Sequence, residues 1–545
     1  MITNPIIPGM APDPSIIRVE NKYYIATSTF HWQPAIQLFE SMDLANWDLV
    51  GYALDKGQVN LQGINTPAGV WAPHLSYDHH TKKYWILYSN MVNMGGREFN
   101  ANNYAIWSYD IKGPWSEPIY ITSIGFDPAL FHDTDGKKYI SILEWESREG
   151  YPSPGTIVIA EIDIETGELL TEWKRVTNGF TTRGCCEAPQ LYKKNGYYYL
   201  LIAAGGTGYG HGVEIGRSKN IFGPYEPHPS GEPIITSSPR HLFSLGDPDA
   251  AHFEMYNPQS KLQKSGHGSL VDTPNGEWYV AHLMSRPLEG TLLNPLGRET
   301  SLQKMVWTED DWLEMADGTN FAKEKVDVGN DVEQKSSAKD LTITGNSKYF
   351  MTPYHMQSEE WVQEKENILY IHGRDSFFSQ FSPSILATRA ESFHYKVKTQ
   401  VEFNPIHYSQ TAGLGLYYDS NNWIYLHLTY DERLNSTVVK LLEARLGVRK
   451  EYHESIVPID QSKVEMQLNY SKGFVAFQYR LTSDSEWIDV LEPIDVQYLS
   501  DEGVNGEPGE IGGFTGLFNF IGTVDSYQHS CTAKFYYYDV KHIEE

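Results

Sequence analysis

Among the acids that stand just ahead of a proline in this chain, three open a repeated phrase: Asp13-Pro14, Asp127-Pro128 and Glu187-Ala188-Pro189. Carboxyls brought to one place repel, which drives their pKa values apart, and a protonated acid beside an ionised one is what general acid/base chemistry requires. An isolated Asp-Pro is ordinarily a turn. The catalytic reading therefore depends on the elements that carry these acids and on whether they converge.

Each acid heads the same phrase. EAPQLYKKNGYYYLLIAA from Glu187 is echoed by DPSIIRVENKYYIATS from Asp13, APHLSYDHHTKKYWILYS from Ala72 and DPALFHDTDGKKYISI from Asp127. In a fifth copy, GHGSLVDTPNGEWYVAHL from Gly266, His-Gly replaces the acid-proline start. Apolar β-formers flank Asn, Asp and Gly clusters, so each phrase predicts a β-hairpin. Pro14, Pro73, Pro128, Pro189 and Gly268 follow one another at 59, 55, 61 and 79 residues. Five units at that period predict a propeller, whose blades close into a ring because none can bury its faces alone. FESMDLANW, SYDIKGPW and GRSKNIFGPY close three of the units and bring each to roughly four strands. First strands of blades line the central channel, so the side chains at 13, 127 and 187 should meet near one axis. His267 in the fifth unit, and His74 in the second, should approach it too. Beyond the fifth unit, Arg286 and Arg298 are the cations placed to reach an acidic centre, where a guanidinium can bind sugar hydroxyls and keep a carboxylate ionised.

At 545 residues the chain predicts two domains. The propeller is expected over 1–320 and a charged, polar linker over 321–340. From 341 to 545 the alternation in FHYKVKTQVEF, AGLGLYYDSNNWIYLHLTYD and FVAFQYRL predicts an antiparallel β-sandwich. The fold class is thus all-β.

A net charge of −27 disfavours nucleic acid and anionic membranes as partners, and 36 Tyr with 14 Trp suit an aromatic-rich β-protein or a sugar-binding surface. No run of about 18 apolar residues offers a membrane span. The N-terminus lacks a basic and apolar leader, and three cysteines make no disulfide framework, so a reducing, cytoplasmic location is expected. Three other motifs lose to plainer readings. Cys186 has no histidine activator in its motif and reads as a buried thiol. The glycine run 205–212 is followed by strand-like residues rather than the helix of a dinucleotide loop. HDTDGKKY from His132 lacks the later glutamate of a calcium loop and reads as a turn.

With Trp71-Ala72-Pro73, Phe126-Asp127-Pro128, Gly266-His267-Gly268 and Leu296-Gly297-Arg298-Glu299-Thr300 added to the phrases at 13 and 187, the chain resembles glycoside hydrolase family 43, in particular its bacterial β-xylosidases. The resemblance implies a five-bladed propeller with a sandwich packed across the mouth of the site. It makes Asp13 the general base, Glu187 the general acid and Asp127 the carboxyl that orients the acid and raises its pKa. Arg298 and His267 would hold the terminal sugar, Phe126 and Trp71 wall it, Phe30 flank the leaving group and Thr207 add a hydroxyl. Phe514 or Phe518 would close the pocket from the sandwich. The implied reaction is inverting, exo-acting hydrolysis of β-1,4-xylosidic bonds in xylo-oligosaccharides, with side activity on α-L-arabinofuranosides. Inversion needs the two carboxyls about 6.5 to 9.5 Å apart, leaving room for water. No cofactor is required by this chemistry; whether a calcium ion sits near His267 is left open, and a homotetramer is implied. The alternatives are arabinofuranosidase as the main activity and a non-catalytic sugar-binding protein.

Overall fold

The computed structural model describes residues 1–151, 155–238, 251–329, 332–504, 506 and 512–543. Among these the only helical pieces are two short 3-10 turns, Gly95–Arg97 and Phe253–Met255. The N-terminal part is a five-bladed β-propeller of antiparallel sheets. Blade 1 runs Ser15–Val19, Lys22–Thr27, Ala35–Ser41, Asp48–Leu54, from the channel outward. The innermost strands of blades 2 to 5 are Gly69–Asp78, Gly125–His132, Glu187–Lys194 and Gln263–Asp272. Each innermost strand touches its two neighbours, so the contacts run round the whole ring.

The repeat has a backbone signature. The residues just before Pro14, Pro73, Pro128, Pro189 and Gly268, namely Asp13, Ala72, Asp127, Ala188 and His267, all have left-handed φ between 43° and 59°. In blades 2 to 5 the ladder with the second strand loses register at this point. A non-glycine residue in this conformation costs roughly 1–2 kcal/mol. Such strain gathers where a fold must aim side chains, here five times around one axis. Glu187 therefore departs from the expected equivalence: its blade places Ala188 where blades 1 and 3 place aspartates, and its carboxyl comes from one residue earlier.

Blade 5 is built from its own strands, ending at Leu313–Met315, so the ring is joined by the N-terminal segment running beside it. The N–H groups of Ile6 and Ile7 donate to the Thr300 carbonyl (2.9 and 3.2 Å), and that of Ala11 donates to the Arg298 carbonyl (3.1 Å). The Asn4 side chain donates to the carbonyls of Leu302 and Lys323, and Arg18 pairs with Asp272 at 2.8 Å. Past blade 5, Lys325–Val326 pairs with Ile2–Thr3, and Leu341–Ile343 already belongs to the second domain's sheet.

That second domain is a two-sheet sandwich. One sheet orders Ser384–Arg389, Phe518–Asp525, Gln410–Asp419, Asn422–Asp431, Ser436–Arg445 and Val448–Ile459; the other centres on His394–Glu402, Thr532–His542 and Lys463–Ser471. Alternating Leu414, Leu416, Leu426, Leu428, Val397 and Leu468 bury their side chains in one core. The sandwich is seated on the propeller by Phe518 stacked on Trp32, centroids 3.7 Å apart, and by Thr352–Pro353 pairing with Trp32–Gln33. Closer to the channel mouth, Glu502 forms a buried ion pair with Lys264 of blade 5 and accepts hydrogen bonds from the backbone N–H and the side-chain amide of Asn294, each at 2.8 Å.

Candidate active site

Asp13, Asp127 and Glu187 line one cavity of about 80 Å3 at the channel mouth, together with Arg298, His267, Trp71, Phe126, Phe30, Thr207 and Phe514. These ten residues thus face a single space.

Asp13 is 7% exposed and fully engaged. Ser28 Oγ donates to its Oδ2 at 2.6 Å, His267 Nδ1 lies 3.3 Å from its Oδ1, and Arg298 Nη1 lies 3.8 Å from that same oxygen. Burial opposes its charge. The guanidinium, the imidazole and the hydroxyl together outweigh that cost and hold Asp13 well below the usual carboxylate range. For His267, burial favours the neutral ring, but the hydrogen bond and charge of Asp13 raise its pKa above the ordinary value.

Asp127 sits in a contrasting environment. Burial pushes its carboxyl up to about 7, and the Asp13 charge adds to that, while His267, Arg298 and the Ala188 N–H work the other way. Its backbone N–H donates to Ser89 Oγ at 3.0 Å, which in turn bonds Asn103 at 2.7 Å, so the strained turn is anchored from the neighbouring blade. Two aspartates in one cavity thus differ sharply in their readiness to ionise, the condition for dividing acid and base work. Glu187 opens its strand half-buried.

Aromatic rings supply the walls. Trp71 meets Phe126 edge-on at 5.6 Å and Phe514 at 5.9 Å, and Phe30 lies 6.1 Å from Phe514. Arg298 is threaded between them, 4.6 Å from the Phe514 ring, with Nη1 donating to Thr207 Oγ at 2.5 Å and Nη2 to the Phe514 carbonyl at 3.4 Å. The result is an apolar box with a few fixed polar groups, a design suited to a small sugar ring.

The structure decides several alternatives that the sequence leaves open and corrects the expectation for His74. Of the two arginines only Arg298 enters; Arg286 is held by the fully buried Glu299 at 2.7 Å and stays outside the cavity. Among the described residues Phe514 alone reaches the box from the sandwich, and Phe518 is committed to Trp32. His74 accepts the Leu130 N–H at 3.2 Å and faces the channel's other end. For calcium, the described residues contain no group of three or more His, Cys, Asp or Glu arranged to hold a metal, and positive charge beside Asp13 is already provided by Arg298 and His267. The donor set near His267 does not fit a calcium site. Cys186 is buried against the Gly155 carbonyl, and burial pushes its thiol far up. The glycine run leads into the strand Gly212–Ser218, and Asp133 of HDTDGKKY is engaged by Lys193 and Tyr198 in a turn.

Ser28, His211 and the Met94, Phe99, Trp145 group also line or support the cavity and escape a reading based on repeats. Phe99 stacks on Trp145 at 4.2 Å. Ser28 ends the first phrase without standing out in it, His211 lies in the glycine run, and Met94, Phe99 and Trp145 sit outside the acid-proline phrases, where only the aromatic density of their segments hints at them.

Comparison with known proteins agrees with this geometry. Residues 2–313 match the model for glycosyl hydrolases family 43, and residues 345–541 match the beta xylosidase C-terminal concanavalin A-like domain. A Vibrio protein named xylan 1,3-beta-xylosidase is 37% identical over 99% of this chain and 98% of its own length. The beta-xylosidase of Bacillus subtilis (strain 168) is 36% identical over 99% of both chains. The crystal structure of xylan beta-1,4-xylosidase from Bacillus halodurans C-125 superposes with a TM-score of 0.91 at 35% identity, covering 99% of this chain and 100% of that one. The chain belongs to glycosyl hydrolase family 43.

Proposed function

We propose that this enzyme is an inverting exo-β-xylosidase that releases xylose from the non-reducing end of xylo-oligosaccharides. One observation carries the reading: a single aromatic box holds an aspartate kept ionised beside a second carboxyl pushed up to about 7 and a glutamate at its edge. In this scheme Asp13 takes a proton from the attacking water, and its charge is fixed by Arg298 and His267. Glu187, the most open of the three, protonates the departing glycosidic oxygen. Asp127 orients Glu187 and tunes its ionisation. The close walls of Trp71, Phe126 and Phe514 favour a pentose, which lacks the hydroxymethyl arm of glucose.

NMR of the first sugar released from xylobiose tests both substrate and stereochemistry. The expected product is α-xylose; β-xylose would overturn inversion, and intact xylobiose would overturn the substrate. Linkage has a second reading, β-1,3, favoured by the 37% identity to the Vibrio protein. Parallel assays on β-1,3- and β-1,4-xylobiose separate the two. Side activity on arabinofuranosides is part of the proposal and is read by comparing nitrophenyl xyloside with nitrophenyl arabinofuranoside. A homotetramer, tested by gel filtration, and a cytoplasmic location, tested by fractionation, complete it.

A further inference from the structure

Four residues ahead of Glu187, Arg183 is 2% exposed. Its Nη1 donates to the carbonyls of Gly210 (2.8 Å) and His211 (3.2 Å) and to the Thr236 hydroxyl (2.8 Å), and its Nη2 to the Ser238 carbonyl (2.5 Å). All four acceptors are neutral. A buried guanidinium ordinarily recovers its lost hydration from a carboxylate, so this arrangement is costly and calls for a reason. Burial lowers the Arg183 pKa to about 10, and the charges of Glu214 and Glu232 oppose that without a hydrogen bond to it, the Glu214 oxygens accepting the N–H groups of Phe180 and Thr181.

The bonds of Arg183 join three segments behind the cavity. They tie the lead-in to Glu187, the mouth loop that presents Thr207 to Arg298, and the edge strand Ile235–Thr236 of blade 4. Thr236 passes the connection on, its hydroxyl donating to the His211 carbonyl at 2.9 Å, while the Gly184 carbonyl accepts the Gly205 N–H at 2.8 Å. This support matters because the ladder is interrupted where Glu187 sits: after the pairing of Glu187 with Ala203, register resumes only at Gln190. The strand alone leaves the direction of the carboxyl loosely set.

We propose that Arg183 is a positioning residue for Glu187: by pinning the lead-in segment to the mouth loop, it holds the carboxyl where the departing oxygen must be protonated. The inference rests on the reading of Glu187 as the general acid.

Leaving-group dependence provides the test. A dinitrophenyl xyloside departs as a stable phenolate and needs little proton donation, whereas the sugar leaving from xylobiose needs it fully. Arg183→Lys keeps the charge but loses the planar fork. It should lower kcat/KM on xylobiose by roughly 30- to 100-fold, within the range of acid catalysis, and on the dinitrophenyl xyloside by less than about threefold. Glu187→Gln, run alongside, should show the same split at larger size. Thr236→Val removes one acceptor while leaving Arg183 in place; it should reproduce the split more weakly, and it serves if Arg183→Lys does not fold. Equal losses on both substrates, or none, in the Arg183 and Thr236 variants beside a clear split in Glu187→Gln would overturn the role of Arg183 alone. No split in Glu187→Gln would overturn the acid assignment and this inference with it.

Discussion

Asp13 and His267, supplied by the first and last blades, meet across the seam of the ring with Oδ1 3.3 Å from Nδ1. The pair links closure of the propeller to the charge state of the proposed base. The same contact also ties stability to pH.

Removing the imidazole should weaken the fold in a pH-dependent way. The raised pKa of His267 means that its contribution is fully present below the unfolded value of about 6.5 and is lost as pH rises through the folded value. The lowered pKa of Asp13 keeps the partner charged down to acid pH. His267→Gln should therefore cost about 1.5 to 3 kcal/mol near pH 5.5, as for a hydrogen bond to a charged group, and less near pH 9. Chemical denaturation at the two pH values measures the difference.

Asp127 should show a stability penalty that grows with pH. Its folded pKa lies above the unfolded one, so the folded state binds the proton more tightly and loses stability as pH climbs from the ordinary carboxylate range to about 7. Asp127→Asn should stabilise the protein, by on the order of 2 kcal/mol more at pH 8 than at pH 5. Denaturation midpoints that rise equally at both values would refute the shifted pKa. The same variant should lose most of its activity on xylobiose.

The two arginines should separate function from stability. Arg298→Lys gives up the fork that spans Thr207, Asp13 and the Phe514 carbonyl, and should lower kcat/KM roughly 100-fold or more. Arg286→Ala leaves the carboxylate of Glu299, 0% exposed, without its ion partner. It should reduce unfolding free energy by about 3 kcal/mol while most of the activity persists.

Phe514 should govern sugar size. It is a wall contributed by the sandwich, and its ring covers both Arg298 and Trp71. Phe514→Ala should raise KM for nitrophenyl xyloside and relax rejection of the matching glucoside by roughly tenfold or more. Measuring kcat/KM for both substrates in both proteins decides it; an unchanged ratio would place selectivity elsewhere.

Asp13, Asp127 and Glu187 are legible from sequence because each heads a hairpin phrase whose turn chemistry is local, and ring closure follows from repetition of that phrase. Glu187 also shows the limit of such reading. The shift that lets Ala188 take the left-handed position depends on how the register breaks, which spacing to proline only hints at. Arg286 and Arg298 look alike in the chain, and only the packing of Glu299 behind the cavity tells them apart. Phe514 and Phe518 likewise differ by one stacking partner, Trp32, supplied from almost five hundred residues away. Phe99 and Trp145 come from segments without a repeated grammar and meet only once two blades are side by side.

The seam between the N-terminal segment and blade 5 has a bearing on synthesis. Asp13 is synthesised long before its restraining partners His267 and Arg298, and the Phe514 wall of the box comes later still. A nascent or prematurely terminated polypeptide accordingly carries the acids without the cations that set their charge, and the centre is completed only late in the making of the chain.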